Sequence, residues 1–291
     1  MKRNILITGA KGQLGREIQT ICALYPDFHF IPTDIEELDL TDKAAVAGFI
    51  RRHAVDYIIN CAAYTAVDKA EDDIEICYKI NCDAVNNLTE AAAGQAKIIH
   101  VSTDYVFDGR ASVPYRETDP TNPQSVYGES KLAGEEALLT ACPESIIVRT
   151  AWLYSVYGNN FVKTMLRLGK QRSELNVVCD QQGTPTYAAD LAQALLSMIV
   201  HVENTGDFPA GIYHYSNEGV TTWFDFTKKI LQLANITTCT VHPVTTDQYP
   251  VKAARPRYSV LDKTKIRETF GIIVPEWEHS LQRCIHLLNH Q

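Results

Sequence analysis

The sequence predicts an α/β fold: a doubly wound parallel sheet, followed by a smaller, interwoven α/β lobe. Up to residue 152, short apolar segments rich in β-branched residues alternate with segments of helical spacing. The first apolar segment, residues 4–8, runs directly into a glycine-rich loop and then a helix. Such alternation is typical of a parallel sheet covered on both faces, with ligands bound at the carboxyl ends of its strands.

The composition is that of an ordinary globular protein and excludes several classes. The chain has 291 residues, of which 45% are hydrophobic and 21% charged, and a net charge of -8. The negative net charge gives no indication of a basic surface for nucleic-acid binding. No apolar run is long enough to span a membrane. The eight cysteines are scattered without a Cys-x-x-Cys pattern, which favours buried thiols over disulfides or zinc ligands. The apolar run after Met1-Lys2-Arg3 is too short for a signal peptide, so we expect a cytoplasmic protein.

The loop Thr8-Gly9-Ala-Lys-Gly12-Gln-Leu-Gly15 follows the first strand and opens a helix, which is the context of a Rossmann-type dinucleotide site. Gly9 would make the tight turn, Gly12 would let a diphosphate approach the backbone, and Gly15 would let helix and strand pack closely. The helix would also present free N–H groups to the phosphates. The alternative is that the glycines serve only the turn.

Two acidic residues follow the second predicted strand, residues 29–33. Asp34 lies about twenty residues after the loop, where a ribose-binding carboxylate belongs. Asp39 follows another short apolar segment, and a helix is predicted over residues 42–53. Either carboxylate could instead cap a helix, and Asp39 or Thr41 is a credible N-cap.

The remaining elements continue the alternation and then loosen it. Further strands are predicted at residues 56–62, 97–103, 145–152, 176–179 and 212–215, and further helices at 72–95, 125–142, 160–173, 189–202, 222–235 and 276–288. We therefore divide the chain into a dinucleotide-binding domain, residues 1–152, and a mainly substrate-binding lobe, residues 153–291. Later segments of the lobe could return to the first domain.

A hydroxyl residue, a tyrosine and a lysine form the candidate catalytic set. Thr103 ends a buried strand, and Tyr127 and Lys131 are one helical turn apart on the helix that follows. Such a trio suits proton transfer to or from a sugar or alcohol oxygen: the tyrosine carries the proton, the lysine ammonium lowers its pKa, and the hydroxyl holds the reacting oxygen. The alternative for Tyr127 is an ordinary packed tyrosine.

Longer strings extend this pattern along the whole chain. They are Gly12-Gln-Leu-Gly15, Asn60-Cys-Ala-Ala-Tyr-Thr-Ala-Val-Asp-Lys-Ala-Glu71, Ser102-Thr-Asp-Tyr-Val-Phe-Asp-Gly109, Asn122-Pro-Gln-Ser-Val-Tyr-Gly128, Arg149-Thr-Ala-Trp-Leu-Tyr154, Asn159-Asn-Phe-Val-Lys-Thr-Met-Leu166 and Asp180-Gln-Gln-Gly-Thr-Pro-Thr186. With them in register, the chain resembles the extended short-chain dehydrogenases/reductases, and within these the dTDP-4-dehydrorhamnose reductase family.

The resemblance implies an NAD(P)H-dependent reduction of the C4 ketone of dTDP-4-dehydro-L-rhamnose to dTDP-L-rhamnose, the last step of dTDP-L-rhamnose synthesis. It implies that the catalytic set is Thr103, Tyr127 and Lys131. The expected cofactor contacts are Gly9, Gly12, Gln13, Leu14, Asp39, Leu40, Ala62, Ala63 and Tyr64, together with the catalytic Tyr127 and Lys131, to which the loop motif adds Lys11, Gly15 and Asp34. The expected contacts of the nucleotide sugar are Val67, Asp104, Tyr105, Trp152 and Arg255. A core role for Trp152 and a solvated surface role for Arg255 are the alternatives.

Some positions separate this chain from related activities. Tyr105 stands where sugar dehydratases of the same superfamily carry a glutamate base, so we expect reduction rather than elimination. Some members dimerise through magnesium held by glutamates; Glu17 is available, but the later position is Asp190, so magnesium is not expected. Asp34 disfavours a 2′-phosphate whereas Lys11 could bind one, so NADPH and NADH both stay candidates.

Two other functions stay open on the same sequence. One is a non-catalytic, NADP-binding regulatory subunit on the same fold, against which the intact catalytic set argues. The other is a reductase of a different nucleotide-linked 4-keto sugar. The oligomeric state is left as a monomer or a homodimer.

Overall fold

The computed structural model describes residues 2–290. Its strands are β1 (Arg3–Thr8), β2 (Phe28–Pro32), β3 (Tyr57–Asn60), β4 (Lys97–Thr103), β5 (Ile146–Thr150), β6 (Leu153–Tyr154), β7 (Glu174–Val178), β8 (Gln182–Gly183), β9 (Thr186–Tyr187), β10 (Gly211–His214), β11 (Thr221–Thr222) and β12 (Thr240–Val244). Its helices are α1 (Gln13–Ile21), α2 (Lys43–Arg52), α3 (Val67–Ala70), α4 (Ile74–Tyr78), α5 (Ala84–Ala92), α6 (Val126–Ala141), α7 (Phe161–Gln171), α8 (Ala188–Thr205), α9 (Trp223–Leu233), α10 (Thr264–Phe270) and α11 (Trp277–Asn289).

A six-stranded sheet forms the centre of the fold, with the strand order β10-β5-β4-β3-β1-β2. All of its neighbouring strands pair in parallel. Because side chains alternate along a strand, Ile5 and Ile7 join the core beneath α8, whereas Leu6 joins the core with Val46 of α2 and Leu88 of α5. The predicted doubly wound parallel sheet is confirmed.

One predicted helix is divided. Residues 72–95 form α4 and α5 with a π-helical segment, Lys79–Asp83, between them. Asn81 in this segment has a buried side chain that donates to Ser130 Oγ at 3.0 Å and to the backbone oxygen of Tyr64 at 3.1 Å. A Cβ on Gly134 would overlap Asn81 O. The widened turn thus allows close packing against α6, and π-helical turns of this kind are frequent near functional sites.

The second half of the chain contributes to the central sheet and also forms its own cluster. β10 lies beside β5 at one edge of the six-stranded sheet, which is the kind of return that the sequence left open. A separate core contains Phe226 and Trp277, next to the parallel pair β7–β12. β12 and α10 were not predicted. The division at residue 152 stays a prediction.

Within residues 2–290, no helix combines the length and apolar character that crossing a membrane requires.

Candidate active site

Two adjoining cavities open at the carboxyl ends of the central strands. The loop cavity, about 430 Å³, lies between the glycine loop and the ends of β2 and β3. The central cavity, also about 430 Å³, extends from the glycine loop to the ends of β4 and β5. They share Gly9, Gly12, Cys61 and Ala63. This arrangement suits an extended ligand that runs from one cavity into the other.

The structure brings nearly all predicted cofactor residues to these cavities. Those lining the loop cavity are Gly9, Lys11, Gly12, Asp34, Asp39, Leu40, Ala62 and Ala63. Those lining the central cavity include Gln13, Leu14, Gly15, Tyr127 and Lys131. Tyr64 lines neither, because its hydroxyl donates to Asp73 Oδ2 at 2.8 Å; its cofactor contact stays a prediction.

The glycine loop has the conformation that a dinucleotide requires. Gly9 has φ +62°, and a Cβ there would lie 2.8 Å from Ala62 Cα, so only glycine fits this turn. A Cβ on Gly15 would lie 2.7 Å from Ala10 Cα, which explains the close packing of α1 on the loop. In residues 2–290 no side chain caps Gly12, the residue before α1. The first N–H groups of α1 therefore stay available for phosphate oxygens.

The acidic residues around the loop cavity have distinct structural partners. Asp34 Oδ2 accepts a hydrogen bond from the Lys11 N–H at 2.8 Å, and Lys11 Nζ pairs with Glu36 Oε2 at 2.7 Å. Asp39 Oδ1 accepts from Thr41 N and Thr41 Oγ1, both at 2.8 Å. The proposal that Asp39 or Thr41 caps α2 was wrong. Asp42 is the cap, because it is the residue adjoining the helix, and its Oδ1 accepts from the first backbone N–H groups at 2.9 and 3.0 Å.

The candidate catalytic set converges on the central cavity. Thr103 is the last residue of β4, and its Oγ1 donates to Asp104 Oδ1 at 3.0 Å. Tyr127 and Lys131 lie one turn apart on α6, whose N-cap is Ser125; Ser125 Oγ accepts from the Gly128 N–H at 3.2 Å. All three predicted catalytic residues line this cavity.

The protonation of the set differs from the sequence-based expectation. We predicted that Lys131 lowers the pKa of Tyr127, but burial raises the pKa of Tyr127, and the neighbouring Thr103 hydroxyl opposes this only in part. Lys131 Nζ instead donates to Val101 O at 2.8 Å. Burial lowers the pKa of Lys131 to about 8 and raises the pKa of Asp104 to about 6. The phenol is therefore fully protonated at neutral pH.

Four of the five predicted substrate residues line the central cavity. They are Val67, Asp104, Tyr105 and Trp152. The Tyr105 ring meets the Tyr127 ring edge to face, with centroids 5.4 Å apart. Arg255 lines a smaller neighbouring cavity of about 190 Å³, which Tyr105 also lines. In this structure Arg255 Nη2 pairs with Asp68 Oδ2 at 2.6 Å.

Several residues of the site were missed by the sequence reasoning. Trp223 stacks on Trp152 with ring centroids 3.5 Å apart, and both indoles line the central cavity. Trp223 opens α9 in the second half of the chain, so no local motif identified it. Thr65 and Asn160 also line the cavity, and both lie inside strings that carried the family resemblance.

No candidate metal centre is found among residues 2–290, since no three His, Cys, Asp or Glu side chains are grouped there as ligands. Glu17 Oε1 accepts from Ser155 Oγ at 2.6 Å, and Asp190 forms an ion pair with Arg283. These two carboxylates therefore have protein partners in this structure.

Comparison with known proteins identifies the family. The model of a family described as "RmlD substrate binding domain" matches residues 2–290. The chain belongs to this family. It is 44% identical over 286 residues to the dTDP-4-dehydrorhamnose reductase of Aggregatibacter actinomycetemcomitans, covering 96% of this chain and 97% of that protein. The predicted family membership is confirmed.

Solved structures of RmlD-family relatives superpose on almost the whole chain. A dTDP-4-dehydrorhamnose reductase from Clostridium acetobutylicum has a TM-score of 0.93 and 46% identity, covering 98% of this chain and 99% of that one. A dTDP-4-dehydrorhamnose reductase from Bacillus anthracis, solved in complex with NADP, has a TM-score of 0.91 and 42% identity, covering 99% of this chain and 100% of that one.

Proposed function

We propose that this RmlD-family chain reduces the C4 ketone of dTDP-4-dehydro-L-rhamnose to dTDP-L-rhamnose with NADPH or NADH. The observation that carries the proposal is the convergence of Thr103, Tyr127 and Lys131 in a cavity that continues into the glycine loop. The names of relatives 44% and 46% identical over nearly the whole chain supply the substrate.

The chain's own residues account for the proton transfer. When bound, NADPH or NADH supplies the hydride. Because burial keeps Tyr127 protonated at neutral pH, the phenol holds the proton that the developing alkoxide needs. Thr103, which lines the same cavity as Tyr127 and is hydrogen-bonded to Asp104, would position the ketone oxygen beside the phenol. Lys131, one turn further along α6, would bind the cofactor ribose.

The wall around the trio fits a nucleotide sugar. The stacked indoles of Trp152 and Trp223 offer a flat apolar surface on which a 6-deoxy sugar can pack. Arg255 would bind the diphosphate, which requires it to exchange Asp68 for a phosphate oxygen. Tyr105, partly buried against Tyr127, has a pKa raised by burial and is not a base at neutral pH. This supports reduction over elimination.

Both nicotinamide cofactors remain part of the proposal. The NADP complex of the Bacillus anthracis relative supports NADPH. Lys11 is the cation at the loop cavity that would receive a 2′-phosphate, but Glu36 already neutralises it and Asp34 lies on the same loop. These carboxylates lower the advantage that a 2′-phosphate would otherwise gain, so NADH stays competitive.

The test is product analysis with dTDP-4-dehydro-L-rhamnose and each cofactor. We expect oxidation of the cofactor and formation of dTDP-L-rhamnose in equal amounts, with both rates lowered by about 10²–10⁴ in Tyr127→Phe. Binding of NADPH without turnover of this sugar would contradict the proposal and favour a regulatory subunit. Turnover of a different nucleotide-linked 4-keto sugar alone would favour the other reductase. Formation of a 4-keto-6-deoxy product from dTDP-glucose would contradict the argument from Tyr105.

We also propose a cytoplasmic enzyme that acts as a monomer or a homodimer. The eight cysteines are free thiols in the structure, which supports a reducing compartment. Size-exclusion chromatography with light scattering would give the mass in solution, and a mass above that of a dimer would contradict this proposal.

A further inference from the structure

A chain of buried polar side chains lies behind the candidate catalytic set and crosses the central sheet. It joins Thr8 on β1, Asn60 on β3, His100 on β4 and Lys131 on α6, and each of these side chains is at most 2% exposed. Thr8 Oγ1 donates to Asn60 Oδ1 at 2.6 Å, Asn60 Nδ2 lies 2.9 Å from His100 Nδ1, and His100 Nε2 lies 3.3 Å from Lys131 Nζ. The proposed reaction does not by itself require Asn60 or His100.

A backbone group fixes the direction of the hydrogen bonds along this chain. The Ala62 N–H donates to Asn60 Oδ1 at 3.2 Å, so the atom that faces it must be the amide oxygen. Asn60 Nδ2 then donates to His100 Nδ1, which must carry no proton. Burial holds the pKa of His100 well below its usual value, so the ring is neutral. Its single proton therefore lies on Nε2 and points at Lys131.

This arrangement bears directly on the charge of Lys131. An Nε2–H needs a lone pair to receive it, and an amine has one whereas an ammonium has none. For Lys131 to be an ammonium, His100 must present a bare Nε2. The His100 proton must then lie on Nδ1, and the Asn60 side-chain amide must rotate so that its oxygen accepts the hydrogen bond from Nδ1–H. That rotation removes the Ala62 N–H bond to Asn60 and leaves Ala62 N with Thr8 Oγ1, at 3.4 Å.

The other groups facing Lys131 do not determine its charge. Cys61, after β3, and Cys77, on α4, have raised thiol pKa values because of burial, so both are neutral. Tyr127, on α6, is neutral for the same reason. Glu135, also on α6, raises the pKa of Lys131, but its carboxylate is bound by Arg149 at 2.6 Å. Within residues 2–290, His100 is the side chain in hydrogen-bonding contact with Lys131 Nζ.

We propose that His100 and Asn60 are positioning residues that form a two-state switch, which couples the charge on Lys131 to the orientation of the Asn60 amide beside the loop cavity. The inference rests on the proposed function only in that Lys131 belongs to the catalytic set. In the amine state the Ala62 N–H is tied to Asn60. In the ammonium state it is released from Asn60 at the wall of the loop cavity. A change of charge at the reacting end is thus transmitted to the glycine-loop end.

The direct test is NMR of the ligand-free protein across pH 6 to 9.5. In ¹⁵N-histidine-labelled protein, the His100 proton is expected on Nδ1 at low pH and on Nε2 at high pH. The midpoint should coincide with the titration of the ¹³Cε signal of Lys131, identified by its loss in Lys131→Met. A His100 tautomer that stays constant while Lys131 titrates would overturn the proposal. Because this test needs no turnover, its result is independent of whether the ketone is reduced.

A matched pair of variants gives a second test. Glutamine at position 100 can turn its own amide toward Lys131 without involving Asn60. His100→Gln should therefore raise the Lys131 midpoint by about one pH unit, a tenfold change in its acid dissociation constant. The alkaline limb of the kcat–pH profile should shift by the same amount. The control is His214→Gln, since His214 on β10 is also fully buried, with its Nδ1 3.1 Å from Tyr115 O. This variant should leave the Lys131 midpoint and the alkaline limb unchanged. Equal shifts in the two variants, or none in His100→Gln, would refute the coupling.

Discussion

Removing the Tyr127 hydroxyl should separate catalysis from folding and binding. In Tyr127→Phe the ring keeps its edge-to-face packing on Tyr105, 5.4 Å away between centroids. Loss of a general acid lowers kcat by about 10²–10⁴, which corresponds to about 3–5 kcal/mol in the barrier. Loss of hydrogen bonding by one hydroxyl changes the free energy of unfolding by only about 0.5–1.5 kcal/mol. Binding of NADPH should be nearly unchanged.

The assay follows cofactor oxidation with the keto sugar, beside urea unfolding and cofactor titration. Tyr57→Phe is the matched control. It also removes a partly buried phenol, the one that donates to Glu203 at 2.5 Å, but from the first residue of β3. Because ligands meet the other end of the strands, this control should keep wild-type kcat. The reasoning is refuted if Tyr127→Phe retains kcat within tenfold of wild type, or if its loss of activity follows a loss of folded protein.

Three further outcomes are expected. Glu135→Leu should lower the free energy of unfolding in urea by about 3–5 kcal/mol because it leaves Arg149 charged and buried. Adding Arg149→Met should recover most of this loss. If the double variant recovers no stability, the loss does not come from the unpaired charge of Arg149. Burial raises the pKa of Asp104 from 3.8 to about 6, so the folded state binds the proton more tightly than the unfolded state and wild type loses stability as pH rises from about 4 to 6. Asp104→Asn should lack that loss of stability and should be more stable than wild type above pH 6, by on the order of 3 kcal/mol. If the free energy of unfolding has the same pH dependence in both proteins, the pKa of Asp104 is not raised in the folded state. Glu36→Gln frees Lys11 and should raise kcat/KM for NADPH over NADH by about twofold to fivefold, and an unchanged cofactor ratio would show that Lys11 does not bind the 2′-phosphate.

The sequence was most informative where local pattern and tertiary role coincide. The strand predicted at residues 97–103 is β4 with the same bounds, because its apolar run is buried from both faces. The helix predicted at 125–142 is α6 with Ser125 as its cap, since serine at that position offers an oxygen to a free N–H. Thr103, Tyr127 and Lys131 were found together because each lies in such an element.

The sequence was least informative where adjacent residues compete or distant ones meet. Asp39, Thr41 and Asp42 could all cap α2, and only the backbone path selects Asp42. Trp223 reaches Trp152 from another part of the chain. The pKa of Tyr127 depends on how deeply α6 buries it and on where Lys131 Nζ points, and Lys131 points to the backbone of β4 instead of the phenol. Residue spacing alone indicates neither the depth at which Tyr127 is buried nor the direction of the Lys131 side chain.

The central claim is that hydride reaches the C4 ketone of the dTDP sugar in the cavity where Tyr127 supplies the proton. It is tested most directly by incubating the enzyme with dTDP-4-dehydro-L-rhamnose and NADPH deuterated at both C4 hydrogens of the nicotinamide. Mass spectrometry and NMR of the product should show dTDP-L-rhamnose with one deuterium at sugar C4, formed by the wild-type enzyme and about 10²–10⁴ times more slowly by Tyr127→Phe. Recovery of unchanged sugar, or of reduced sugar without deuterium at C4, would contradict the claim.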